Sequence, residues 1–277
     1  MEESFEYKIV PPRPFTLQLA EIWRYRELFY FFTWRDVKVK YKQAVLGIAW
    51  AVLQPFLLMV VFTAVFHRGL NIQPSGNLPY PVFAFSGLLI WQIFSGGLSN
   101  AANSMLSNAN IIKKIYFPRL IIPLSAILTA VVDFFFALIV FLGLLFYYKV
   151  PFHPLEWLML LTLSLFLAFM ATAGLSLFLA AWNVKYRDFQ YVIPFLIQVL
   201  FFVSPVLYEP SQFEGSYFEF LLKINPMSGA IHLSRAAFTA QPIDWVLTGW
   251  SALSAGIFFV AGLFTFRKME AYFADFA

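Results

Sequence analysis

Apolar residues in this 277-residue chain gather in long blocks, not in short alternating runs. A helix needs about 20 apolar residues to cross the hydrocarbon core of a bilayer. Six blocks approach that length. Ala44 to Phe66 carries no formal charge, and Val82 to Leu98 is a shorter core. Leu120 to Tyr147 holds a single acid, Asp133, while Trp157 to Trp182 is uncharged. Tyr191 to Tyr208 and Trp245 to Phe266 complete the set. The pattern predicts an all-α membrane protein with six transmembrane helices. An N-terminal arm (1–43) precedes the six-helix domain (44–266), and a short tail (267–277) follows it.

The polar segments between the blocks have structure of their own. Leu17 to Thr33 is helix-compatible, but its charges do not gather on one face as in a simple surface helix. This predicts a helix that touches lipid on one side and protein on the other. Ser99 to Pro123 begins small and polar, so the second span continues as helix beyond the membrane. Ile111, Ile112, Ile115, Tyr116 and Phe117 then surround Lys113 and Lys114, with Pro118 as a stop. Exposed apolar residues on a short loop mark a partner surface, although packing onto the chain's own bundle gives the same pattern. In the long loop Glu209 to Asp244, Ser211 and Glu214 have capping-box spacing and Asn225-Pro226 marks a turn. Ser228 to Phe238 is predicted as a second short helix, and both short helices can re-enter the membrane edge under protein cover. Lys185, Arg187 and Asp188 form a polar hinge between the fourth and fifth spans, with Asp188 expected to N-cap the fifth.

Charge gives these segments sides. Fifteen of the 19 Lys and Arg residues fall in the arm, the second-to-third loop, the hinge and the tail; four fall on the opposite side. Positive residues collect on the cytoplasmic face, so both termini are expected there. Tyr80, Tyr147, Tyr148, Trp157, Trp182, Tyr208 and Trp245 frame the spans as interface anchors do. The 12% charged content is far below the roughly 25% of a soluble domain. The net charge of +4 requires no nucleic-acid partner. The polar N-terminus lacks the apolar core of a cleavable signal.

Candidate chemistry is sparse. The chain has no cysteine, and His67, His153 and His232 sit singly beside predicted membrane edges, which suits interfacial polar residues better than a metal site. No GxxxxGK[ST] P-loop, HExxH motif or paired-carboxylate cluster is present. Asp133 is a functional candidate by its position. A proton relay needs ionisable partners on other spans, and none supplies one, so hydrogen bonding inside the bundle is the expectation. Ser95, Gly96, Gly97 and Ser99, and Ala171, Ala173, Gly174 and Ser176, permit close helix approach, within one bundle or across a dimer seam.

GLLIWQIF, SNANIIKKIYFPR, NVKYRDF, SPVLY and NPMSGAIHLSRAAF occur in order along the chain. In this order and spacing they resemble ABC-type polysaccharide exporter permeases, the type-2 permease family, over essentially the whole length. The likeness is nearest to exporters of lipid-linked O-antigen, with capsule and teichoic-acid exporters close behind. The resemblance implies a type-2 ABC exporter permease fold in the bacterial inner membrane. It also implies a homodimer joined to two separate ABC subunits that bind ATP and Mg, with no cofactor in this chain. It assigns ATPase coupling to the loop 108–119, through Asn108, Asn110, Lys113, Lys114, Tyr116, Phe117 and Arg119. The arm helix, with Trp23, Arg24 and Arg26, is its interface helix. Arg187 and Asp188 mark a turn on the same side, and the short helices within 209–243 are outer gate elements.

Aromatic faces stack on sugar C–H groups and give weak contacts that permit sliding. Trp50, Phe56, Phe62, Phe83, Trp91, Phe195 and Phe201 are the lining candidates, with lipid contact or core packing as the alternative for each. A type-2 permease for a small drug or lipid, and an integral-membrane enzyme of lipid-linked sugars, are the competing functions. The missing carboxylate pair counts against the enzyme.

Overall fold

The computed structural model describes residues 19–42, 47–69, 78–151, 153–186, 188–238, 242–270 and 273. Its helices are α1 (Leu19–Arg24), α2 (Arg26–Lys42), α3 (Ala49–Phe62), α4 (Tyr80–Ser107), α5 (Ala109–Ile112) and α6 (Ile121–Tyr147). They continue with α7 (Pro154–Lys185), α8 (Phe189–Val203), α9 (Tyr217–Ile224), α10 (Pro226–Ala236) and α11 (Trp245–Glu270). No strand occurs among the described residues.

Among the described residues, five segments are long and apolar enough to span a membrane: Ala49–Gly69, α4, α6, α7 and α11. The fifth block, Tyr191 to Tyr208, departs from the expected full span. It forms α8 alone, 15 residues or about 22 Å of helix, short of a core about 30 Å thick. Ser204 adopts φ −90° and ψ 142° because it precedes Pro205, and a residue before proline is driven out of the helical region.

Other boundaries also moved. The first span begins at Ala49 and closes in a π-helical turn, Thr63–Gly69; its expected start at Ala44 lies outside the described residues. The arm helix breaks at Tyr25 and resumes to Lys42, well past Thr33. Helix α4 does run on to Ser107, and α11 extends to Glu270, beyond the expected tail boundary.

The small-residue runs at Gly97 and Gly174 pack inside this one bundle. A Cβ on Gly97 would lie 2.8 Å from Thr172 Cγ2. One on Gly262 of α11 would collide with the Gly174 carbonyl of α7. The absent side chains let α4, α7 and α11 approach closely, where dispersion contacts replace the hydrophobic drive that lipid cannot supply.

At the end of the bundle away from the 109–119 loop, Asn225 caps α10 by accepting from the Met227 amide at 2.9 Å, with Pro226 at N1. The helix therefore starts two residues before the expected Ser228. The expected capping box fails. Pro210–Phe213 is a 3-10 turn, and Ser211 Oγ donates to Glu209 at 3.4 Å, not to a helix terminus. Asp188 does not cap α8 either, because its own backbone is helical (φ −65°, ψ −22°) and its side chain makes no cap bond. Arg187 lies outside the described residues.

Arg235 locks α10 down. Fully surrounded by protein, it donates to Ser86 Oγ (3.3 Å) and to the carbonyls of Pro205 (2.7 Å), Phe83 (3.2 Å) and Val206. Its guanidinium lies 3.7 Å from the centre of the Phe83 ring. Burial pushes its pKa down to about 9, partly offset by Glu209 and Tyr80. A rigid fork of donors suits this set of carbonyls as a point charge would not.

Candidate functional site

The segment after α4 divides into an exposed tip and buried anchors. Asn110, Lys113, Lys114, Ile115 and Tyr116 are exposed, Ile115 and Tyr116 each at 60%. Asn108 and Phe117 are buried, and Arg119 is half-buried. The seven expected coupling residues are thus brought together in space but split into two kinds.

Each anchor ties the tip to a different end of the chain. Arg35 of α2 donates to Asn108 Oδ1 at 2.8 Å, while Asn108 Nδ2 holds the Ser104 carbonyl of α4 at 2.8 Å. Phe32 of α2 packs on Phe117 at 5.7 Å between ring centres. On the far flank the Arg119 amide donates to Glu270 Oε1 at 3.3 Å, and its guanidinium bonds the Glu270 carbonyl. Glu270 also takes a buried ion pair from Arg267 at 2.7 Å. A load applied at Lys113–Tyr116 therefore reaches α2 and α11 through short, directional bonds.

The arm helix packs one face on the rest of the chain and leaves another exposed. Ile22, Tyr25, Leu28 and Phe29 pack toward the cluster that contains Phe32 and Phe117. Trp23, Arg24 and Arg26 point outward, with Arg26 over the Trp23 ring at 5.8 Å. Tyr30, Phe31 and Trp34 are exposed as well. Along its length α2 follows α6 in the same direction. Thr33 Oγ1 reaches the Ser125 carbonyl at 3.4 Å, and seven residues on, Lys40 and Tyr41 both donate to the Asp133 carboxylate. The acid in the third span thus finds its hydrogen bonds in the N-terminal arm, not in a neighbouring span. Burial first, then the bond to Asp133, raises the Tyr41 phenol well above its usual range.

The lining candidates scatter. Phe62, Phe201 and Trp91 join α3, α8 and α4 in one aromatic cluster, with ring centres 5.8 and 5.5 Å apart along it. Phe56 packs partly buried against the same core. Trp50 and Phe195 are exposed, at 53% and 68%. Phe83 and Trp91, at 2% and 7%, are core residues; Phe83 is held under Arg235 and does not present a free face to a pathway.

Sequence reasoning missed Phe32, Arg35, Lys40, Tyr41, Arg235, Arg267 and Glu270. A faint signal existed for the last two, an Arg and a Glu three apart in the final turn of a span, the spacing of a helical ion pair.

Comparison with known proteins agrees with this architecture. The chain is 28% identical over 249 residues to an O-antigen export system permease protein RfbA of Klebsiella pneumoniae, covering 90% of this chain and 94% of that one. It is 30% identical over 222 residues to the Myxococcus xanthus protein of the same name, covering 79% and 83%. A polysialic acid transport protein KpsM of Escherichia coli is 23% identical over 244 residues, covering 85% and 91%. Residues 27–239 match the ABC-2 type transporter family. With its long apolar helices and that match over most of its length, the chain belongs to the ABC-2 type transporter family, as a multi-pass membrane subunit for transport and not an enzyme.

Proposed function

We propose that this chain is the permease subunit of an exporter that moves lipid-linked polysaccharide of O-antigen type across the bacterial inner membrane. Two copies pair with two ABC subunits, which bind ATP and Mg and supply the energy. The carrying observation is the exposed Lys113–Tyr116 tip, braced on one flank by Asn108 and Phe117 against α2 and on the other by Arg119 against α11. A surface tip with rigid supports is what a power-supplying partner needs in order to move helices. The names of the RfbA relatives support O-antigen as cargo. The more distant KpsM relative supports a capsule-like polymer as the second reading. The Lys and Arg bias supports a cytoplasmic position for both termini and for the tip.

Co-purification with the cognate ATPase, followed by hydrolysis and export assays in lipid vesicles, tests the reading. Lys113→Ala/Lys114→Ala should weaken ATPase association and export while leaving membrane insertion intact. Full export by this variant would remove the tip from the mechanism. Transport of a small amphiphile but no glycan would overturn the cargo.

A further inference from the structure

At the end of the bundle that carries the 109–119 loop, α7 and α11 diverge around a cavity of about 560 Å³. Trp182, Lys185, Phe264, Lys268, Met269 and Phe273 form most of its wall. Two cations therefore stand at the edge of a chamber that is mostly apolar, with Thr265 as its other polar side chain besides Trp182. Neither Lys185 nor Lys268 forms a salt bridge among the described residues; the Lys185 ammonium lies over the Tyr186 ring at 5.1 Å. The Trp182 indole nitrogen is buried and has no hydrogen-bond partner among those residues. An indole N–H can only donate, and a buried donor left unmet is costly. That nitrogen is sealed from the cavity, so the two ammonium groups at the cavity's edge are what ask for an anionic acceptor.

The apolar part continues beyond the cavity. Phe264 is shared with an open groove on α11 whose other walls include Leu253, Gly256, Ile257 and Val260. Leu253, Ile257, Val260, Phe264 and Lys268 follow one another at helical spacing, so they form a single stripe. Nothing lies within 4 Å of the position a Gly256 Cβ would take, which leaves a notch in that stripe. From Ile257 to Lys268 the helix rises about 16 Å, close to the roughly 15 Å depth of one leaflet's hydrocarbon.

We propose that this cavity and groove bind one anionic phospholipid, with its phosphate at Lys185 and Lys268 and one acyl chain along α11. Basic pockets between membrane helices suit acidic headgroups. The groove opens laterally along a span, so the occupant is a lipid of the surrounding leaflet. Held there, it bridges α7 to the last turns of α11, whose Glu270 anchors Arg119.

The test uses the full chain in neutral detergent with phosphatidylglycerol or phosphatidylcholine brominated on the acyl chain. Emission lost on Trp182→Phe substitution defines the Trp182 component. That component should be quenched by phosphatidylglycerol at about tenfold lower mole fraction than by phosphatidylcholine, and Lys185→Gln/Lys268→Gln should abolish the preference. The thermal shift caused by phosphatidylglycerol, compared between wild type and the double lysine variant, gives the same reading without altering Trp182. Equal effects of the two lipids, or a preference that survives loss of both lysines, would overturn the site. Displacement by millimolar inorganic phosphate would reduce it to an anion site without acyl recognition, and tighter binding of a polyprenyl phosphate would assign it to cargo; either result overturns the phospholipid.

Discussion

Arg119 reaches Glu270 twice, through its amide to the carboxylate at 3.3 Å and through its guanidinium to the backbone carbonyl. The same carboxylate holds the buried Arg267 at 2.7 Å. Removing one member of a buried ion pair costs about 3–5 kcal/mol. Glu270→Ala is expected to lower the melting temperature in detergent markedly. Lys113→Ala/Lys114→Ala, at the exposed tip, should stay within about 0.5 kcal/mol of wild type. Identical melting curves for the two variants would show that Glu270 anchors nothing.

The missing side chain of Gly87 makes room for Arg235. A Cβ on Gly87 would lie 2.6 Å from the Val206 carbonyl and overlap the Arg235 guanidinium. Gly87→Ala should therefore displace Arg235 and strand its buried acceptors, at about 1–3 kcal/mol for each one left unmet. Arg235→Lys should lose part of that stability and Arg235→Met more, because only the fork reaches all four acceptors. Thermal unfolding monitored by size-exclusion chromatography ranks the three variants; a stable Arg235→Met would contradict the lock.

Lys40 and Asp133 provide a double-mutant cycle. Asp133→Leu leaves a cation facing an apolar span, and Lys40→Met leaves the carboxylate with Tyr41 alone. The combined Asp133→Leu/Lys40→Met variant should recover about 1 kcal/mol relative to the sum of the single losses. Strict additivity in chemical denaturation would mean that the arm is not held by this pair.

His232 makes the α10 end of the bundle sensitive to acid. Its Nε2 accepts the Asp244 amide N–H at 3.0 Å, which requires that nitrogen to be unprotonated. Burial lowers its pKa, opposed by Asp244, and Arg235 lowers it further. Because the folded value lies below the unfolded one, near 6.5, the unfolded chain binds more protons in the window beneath it. Stability is then full above about pH 6.5 and falls as pH drops toward the folded value. His232→Gln should flatten this part of the stability profile. A wild-type profile that is flat between pH 7 and pH 5 would exclude the contribution.

The apolar blocks were enough to establish an all-helical membrane protein, because the cost of exposed backbone in lipid leaves a long apolar segment few other choices. The small, polar, helix-compatible residues after Leu98 also signalled that α4 continues beyond its apolar core, as it does to Ser107. The order of motifs around SNANIIKKIYFPR supported the family, and the tip residues Lys113, Lys114 and Tyr116 were recognisable as a cluster. Cap positions were less legible. Asp188 and Ser211 have the right residue type, but a cap needs the backbone to leave the helix at that residue, and neighbouring turns decided otherwise.

What the sequence could not contain is which distant groups meet. Composition made Asp133 an isolated acid, Arg235 one of a few outer cations and Glu270 part of a tail. Tertiary packing brought Lys40 to the first, four polar acceptors to the second and Arg119 to the third. These contacts join residues 93, up to 152 and 151 positions apart. No local periodicity reports on such distances. They are set by how α4, α6, α7 and α11 pack through their small residues, so span identity was a property of the sequence and the bracing of the Lys113–Tyr116 tip a property of the fold.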